Sequence, residues 1–178
     1  MKVIDDPESG MVFQFPSECA IHFDKAIGSV AQWQSQLPTR IDFIALRPDP
    51  QSATRKAVLF IEAKTSNANV EKDPAARTAA EIVGKFATSL ALFTALRTNR
   101  HASLGALLPG CLSASSLDGS RWILLLVVKK LQGEHCNQMR MWLQKRLREM
   151  HLLRAWGVHQ DDVYVWNEEQ ARSKGYIA

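Results

Sequence analysis

"VLFIEAK", residues 58–64, sets an apolar run against Glu62 and Lys64. Val58 to Ile61 read as a buried strand, because β-branched and aromatic residues suit a pleated, covered surface. Side chains alternate along a strand, so Val58, Phe60, Glu62 and Lys64 share one face and Leu59, Ile61 and Ala63 the other. Upstream, "TRIDFIALR" (39–47) has the same composition, and "PDPQSAT" (48–54) carries the prolines and small polar residues of a turn. The two runs predict a hairpin with a longish loop. Antiparallel pairing about a turn centred near Gln51 or Ser52 brings Asp42 level with Glu62. Two carboxylates and one ammonium then converge. Acids a few ångströms apart raise one another's pKa unless a cation sits between them, and Mg²⁺ takes such oxygen ligands while keeping waters.

The remaining segments supply covers for this hairpin. "MVFQF" (11–15) reads as a short strand, and Pro16-Ser17 introduces a helical pattern through Phe23, Ile27, Val30 and Ala31, with Ser17 as N-cap and Glu18 in the first turn. "DPAARTAAEIVGKFATSLALFTALRTN" (73–99) starts on Asp73-Pro74 and presents Ile82, Phe86, Leu90 and Phe93 on one side. Residues 101–120, rich in Gly, Ser and Leu, form a connection with a short helical turn. "RWILLLVVKK" (121–130) is a strand apolar on both faces, which calls for helices on both sides of the sheet. A basic helix runs from about Asn137 to Trp156, with Met139, Leu143, Leu147 and Met150 inward, and "DDVYVW" (161–166) is the last strand. The fold class is α/β, a central mixed sheet flanked by helices on both faces. No repeat or linker divides residues 1–178, so they form one domain, with a core of about 17–130 and a C-terminal basic helix and strand at about 137–167.

Bulk properties fit this architecture. The chain has 178 residues, 46% hydrophobic and 22% charged, which suffices for one buried core and argues against disorder. The first ten residues carry acids and no apolar run, and Trp122 to Val128 is too short to span a bilayer, so the expected location is cytoplasmic, with no membrane partner. Cys19, Cys111 and Cys136 lie far apart without CxxC spacing, which suits thiols in a reducing compartment better than disulfides or zinc. The net charge of +4 permits nucleic-acid binding without requiring it.

Asp42, nineteen intervening residues and then Glu62-Ala63-Lys64 closing an apolar strand, with a helix before and a helix after, resembles the PD-(D/E)xK phosphodiesterase superfamily, the restriction-endonuclease-like nucleases. The resemblance covers roughly Glu18 to Lys130. It implies a helix–strand–strand–strand–helix–strand core and phosphodiester hydrolysis assisted by Mg²⁺, with Mn²⁺ as a substitute. Under it, Asp42 and Glu62 bind the metal, the carbonyl of Ala63 adds a ligand, Lys64 orients or helps deprotonate the attacking water, and Glu18 contributes a further acid from the first helix. The chain departs from the pattern in three places. Only two strands are evident between the helices, so either Val30 to Leu37 supplies the third or the first helix runs longer. Ile41 stands where a proline often precedes the first acid. Glu81 and Lys85 occupy the spacing of the Gln-x-x-x-Tyr signature of the exonuclease branch and read as a surface ion pair.

The expected function is therefore metal-dependent hydrolysis of nucleic-acid phosphodiesters, DNA first. Arg140, Lys145 and Arg148, outward on the basic helix, are the candidate phosphate contacts. The alternative is a catalytically silent nuclease-like fold serving as a DNA- or protein-binding subunit. In either case no recognition domain is evident, so a homodimer or a partner protein would supply recognition.

Overall fold

A computed structural model describes residues 2–15, 19–30, 39–49, 52–65, 74–100, 104, 106–113, 117 and 119–178. Strands β3 (Ala20–His22), β4 (Phe43–Asp49), β5 (Ser52–Lys64), β6 (Arg121–Val128) and β7 (Val163–Asn167) form one mixed sheet in sequential order. β3, β4 and β5 are antiparallel neighbours, whereas β5, β6 and β7 run parallel. The parallel step from β5 to β6 requires a crossover, which the 24-residue helix α2 (Pro74–Arg97) provides. A separate hairpin of β1 (Lys2–Asp6) and β2 (Met11–Phe15) precedes the sheet.

Two apolar clusters lie on the two faces of the sheet. On one face Ile44, Val58, Phe60, Leu124 and Val163 pack with Phe23 and Ile27 of α1 (Phe23–Gly28), with Ile82, Phe86, Leu90 and Phe93 of α2, and with Leu112 of α3 (Gly110–Ser113). Met139, Leu143 and Leu147 of α4 (Gly133–Glu149) and Leu153 of α5 (Leu152–Ala155) complete that layer. On the other face Phe43, Leu59, Ile61 and Ile123 pack with Met11, Phe13 and Phe15 of the hairpin and with Ala171 of α6 (Glu168–Ser173). The helices expected on both faces are thus divided unequally: one layer is helical, and the other is a β-hairpin plus one short helix. α2 between Thr78 and Arg97 is long and apolar enough to cross a membrane, but its apolar stripe is sealed against the sheet, as in a core helix.

Several boundaries differ from the sequence expectations. The first helix does not extend back through Cys19 to His22. That stretch pairs instead with β4, through Ala20↔Ala45 and a hydrogen bond from Leu46 N to the Cys19 carbonyl (2.7 Å), so tertiary pairing overrides the helical period. β3 thus lies ahead of α1; residues 31–38, where a third strand between the helices was sought, lie outside the described residues. β4 and β5 run further into the expected loop, to an Asp49↔Ser52 pair after a register shift at Pro48. The basic helix spans Gly133–Glu149, earlier than expected at both ends, because His151 adopts φ 55° and breaks it from α5. Met150, expected inward, is 52% exposed beyond that end.

Candidate active site

The β4–β5 register pairs Phe43 with Ile61, so the next residue out, Asp42, stands level with Glu62. Both are buried: Asp42 is 5% exposed and Glu62 0%. Backbone contacts fix Asp42 from both sides. Its carbonyl accepts from Phe23 N (2.7 Å), and the preceding amide, Ile41 N, donates to Ser89 Oγ (3.0 Å). Its Oδ2 accepts from Ala63 N (2.7 Å). N–H and C=O of one strand residue point to the same side, so the Ala63 carbonyl also faces the Asp42 end of β4.

α2 lies across this corner. Lys85 Nζ donates to Glu62 Oε1 (2.7 Å), and Lys64 Nζ donates to Glu81 Oε1 (2.7 Å) while standing 3.9 Å from Glu62 Oε1. Glu81 and Lys85 are thus not a surface pair for one another; each binds a charge on β5. With Ser89 they form a polar line at i, i+4 and i+8 beside the apolar stripe, meeting Lys64, Glu62 and Ile41 in turn. Sequence reading missed this alignment. Its signal was present, since Ser89 continues the spacing of Glu81 and Lys85.

The electrostatics follow from burial. Removal from water pushes Glu62 up to about 8; Asp42 adds to the rise, and Lys85 opposes it. Burial likewise raises Asp42 to about 6, with the Ala63 amide and Lys85 pulling down and Asp6 and Glu8 pushing up. Asp6 ends β1 and Glu8 lies in the turn after it, which Thr65 Oγ1 ties to this corner through the Glu8 carbonyl (2.7 Å). Burial pulls Lys85 down, but Glu62, Asp42 and Glu81 together outweigh it and leave Lys85 above its ordinary value. The hydrogen bond from Lys64 holds Glu81 low. Glu62 Oε2 is buried with no hydrogen-bond partner among the described residues.

Could this corner hold a divalent cation? Among the described residues no group of three or more His, Cys, Asp or Glu is placed to do so. The protein ligands would be two carboxylates and the Ala63 carbonyl, with water filling the other positions, a set that suits Mg²⁺. The orphaned Glu62 Oε2 and two carboxyls held above their ordinary range are the features such a cation would relieve, so the residues fit it.

Glu18 lies outside the described residues. Arg140, Lys145 and Arg148 are not brought to the corner. Arg140 packs over Tyr164 (5.5 Å) with Asp161 3.8 Å away, and Arg148 reaches Gln160 (3.3 Å), toward the start of β7 and away from the strand ends that carry Lys64. Comparison with protein-family models, with curated proteins and with solved structures finds no match.

Proposed function

We propose that the Asp42–Glu62–Lys64 corner hydrolyses phosphodiester bonds of nucleic acid, DNA first, with a divalent cation, and that the fold is a variant of the restriction-endonuclease-like architecture with its third strand ahead of α1. The observation that carries the reading is Glu62: an orphaned, fully buried carboxylate oxygen beside a second buried acid, at the carboxyl end of a central strand. A side chain so placed costs stability, and buried, strongly perturbed acids concentrate at functional sites.

In this reading Asp42, Glu62 and the Ala63 carbonyl hold Mg²⁺, or Mn²⁺ in its place. When bound, the ion would polarise the phosphate and lower the pKa of a coordinated water. The protein's own groups do the rest. With an ion bound, Glu62 would be held as the carboxylate, its proton passing to water. Lys85 hydrogen-bonds Glu62 without the ion and remains as a fixed positive charge beside it. Lys64 exchanges its partly exposed pair with Glu81, which is cheap to break, for the phosphate charge that develops in the transition state. Ser89 and the Phe23 amide position Asp42 and touch no reacting atom.

The competing reading is a nuclease-like fold kept as a nucleic-acid- or protein-binding subunit. It is favoured by Lys85 already bonding Glu62. Incubation of labelled single- and double-stranded DNA and RNA with Mg²⁺, Mn²⁺ or EDTA separates the two. The nuclease reading expects cation-dependent products lost in Asp42→Ala and Lys64→Ala; the binding reading expects no products on any substrate and retention that weakens with salt.

A further inference from the structure

The face of the sheet opposite Glu62 carries a second site. Arg47 of β4, Ile123 of β6, Tyr164 and Trp166 of β7, and Lys174 and Tyr176 after α6 line a cleft of 430 Å³, on the scale of small-ligand pockets. Its walls are aromatic. Trp166 meets Tyr164 with ring centroids 5.5 Å apart and Tyr176 edge-on at 5.1 Å. Among the described residues its charges are positive: Arg47 lies 4.2 Å from the Tyr176 ring centre, Lys174 5.4 Å from that of Trp166, and no described acid lines the cleft. Arg47 Nη1 is a buried donor with no hydrogen-bond partner among the described residues.

The cleft is held in shape by the backbone. Gly175 takes φ 71°, a left-handed conformation open to glycine, which reverses the chain so that Tyr176 N reaches the Ala171 carbonyl (2.9 Å). The Tyr176 carbonyl then accepts from Gln14 N (3.0 Å) in β2. The wall is therefore fixed to the hairpin, while exposed Lys174 is free to swing.

We propose that this cleft binds a nucleotide, free or as an unpaired position of a strand, with its base against Trp166 and its phosphate on Lys174 and Arg47. Flat aromatic walls select a flat ligand, and an all-cationic rim selects an anion; a nucleotide joins both on one molecule. Base–aromatic stacking outweighs an exposed lysine–ring contact, so Lys174 yields its place over the ring and follows the phosphate. This inference does not rest on the catalytic reading, since Glu62 and the cleft occupy opposite faces of the sheet.

The test is equilibrium binding in EDTA, which removes cation-dependent cleavage, of dAMP, deoxyadenosine, inorganic phosphate and a labelled oligothymidine. The wild type is compared with Trp166→Ala and Lys174→Glu. Binding of dAMP, weaker for the nucleoside and for phosphate alone, assigns the cleft to a free nucleotide; binding of the oligomer alone assigns it to a strand. In either case Trp166→Ala weakens binding at least about fivefold, and Lys174→Glu weakens it without touching the core. No binding of dAMP or the oligomer by the wild type, or binding indifferent to Trp166→Ala and Lys174→Glu, overturns the proposal. Loss of cleavage activity alone bears only on the Glu62 site.

Discussion

Glu62→Gln should make the protein less sensitive to alkaline pH. The folded carboxyl lies at about 8 against an ordinary 4.5, so between these values the folded state holds a proton that the unfolded chain has released. Stability therefore falls as pH rises through this window and levels off above about 8. With 1.36 kcal/mol per pH unit, the Glu62 penalty is under about 1 kcal/mol at pH 5 and about 4 kcal/mol at pH 8. For a chain of this size that difference lowers the melting temperature by roughly 10 °C. The substitution removes the titration. It also leaves Lys85 without its partner, and with burial then less opposed, any Lys85 titration adds a rise toward high pH in the variant alone, which widens the difference between the two curves. Asp42, raised to about 6, keeps a smaller decline at the acidic end in both proteins. Chemical denaturation at half-unit steps from pH 5 to 9 measures both curves. The wild type should lose about 3 kcal/mol more than the variant between pH 5 and pH 8; parallel curves would show that Glu62 ionises normally and refute the burial argument.

Other expectations follow from the same corner. Mg²⁺ at pH 8, at ten times its dissociation constant, should stabilise the wild type by about 1.4 kcal/mol, roughly 3–6 °C in thermal melting, and should leave Asp42→Ala unmoved. Ser89→Ala removes the acceptor for the Ile41 amide and should cost about 1–3 kcal/mol in denaturant unfolding; it should also weaken cation affinity, which a purely structural loss would not. Lys64→Ala should stay within about 0.5 kcal/mol of the wild type in stability and keep the cation by calorimetry, while losing kcat with little change in KM.

The pairing of Asp42 with Glu62 was legible because the expected loop centre near Gln51 or Ser52 matches the register that runs from Phe43↔Ile61 to Pro48↔Lys56; the shift to Asp49↔Ser52 beyond Pro48 left no mark in the sequence reading. The apolar stripe of α2 was legible too: Ile82, Phe86, Leu90 and Phe93 repeat at the helical period, and all are buried. Lys85 and Glu81 were not, because an i, i+4 pair of opposite charge has a local explanation that hides a partner on another element. β1 escaped notice because its acids mask an extended segment whose only strand partner among the described residues is β2. Ala20 to His22 looked helical because Phe23 and Ile27 set the period, and nothing local records that the preceding residues pair with β4.

Glu62→Gln also provides the most direct test of the central claim, because it keeps the side chain's shape, removes the charge and replaces one carboxylate oxygen by an amide NH2 that cannot bind a cation. Single-turnover cleavage of a labelled DNA in Mg²⁺ at pH 8, with wild type and variant at equal folded concentration, measures what the carboxylate does. The account predicts cation-dependent cleavage by the wild type and a fall of at least about a hundredfold in the variant, the scale of removing a charge-stabilising group from an active site. Equal cleavage by the two proteins, or wild-type cleavage that persists in EDTA, would contradict it.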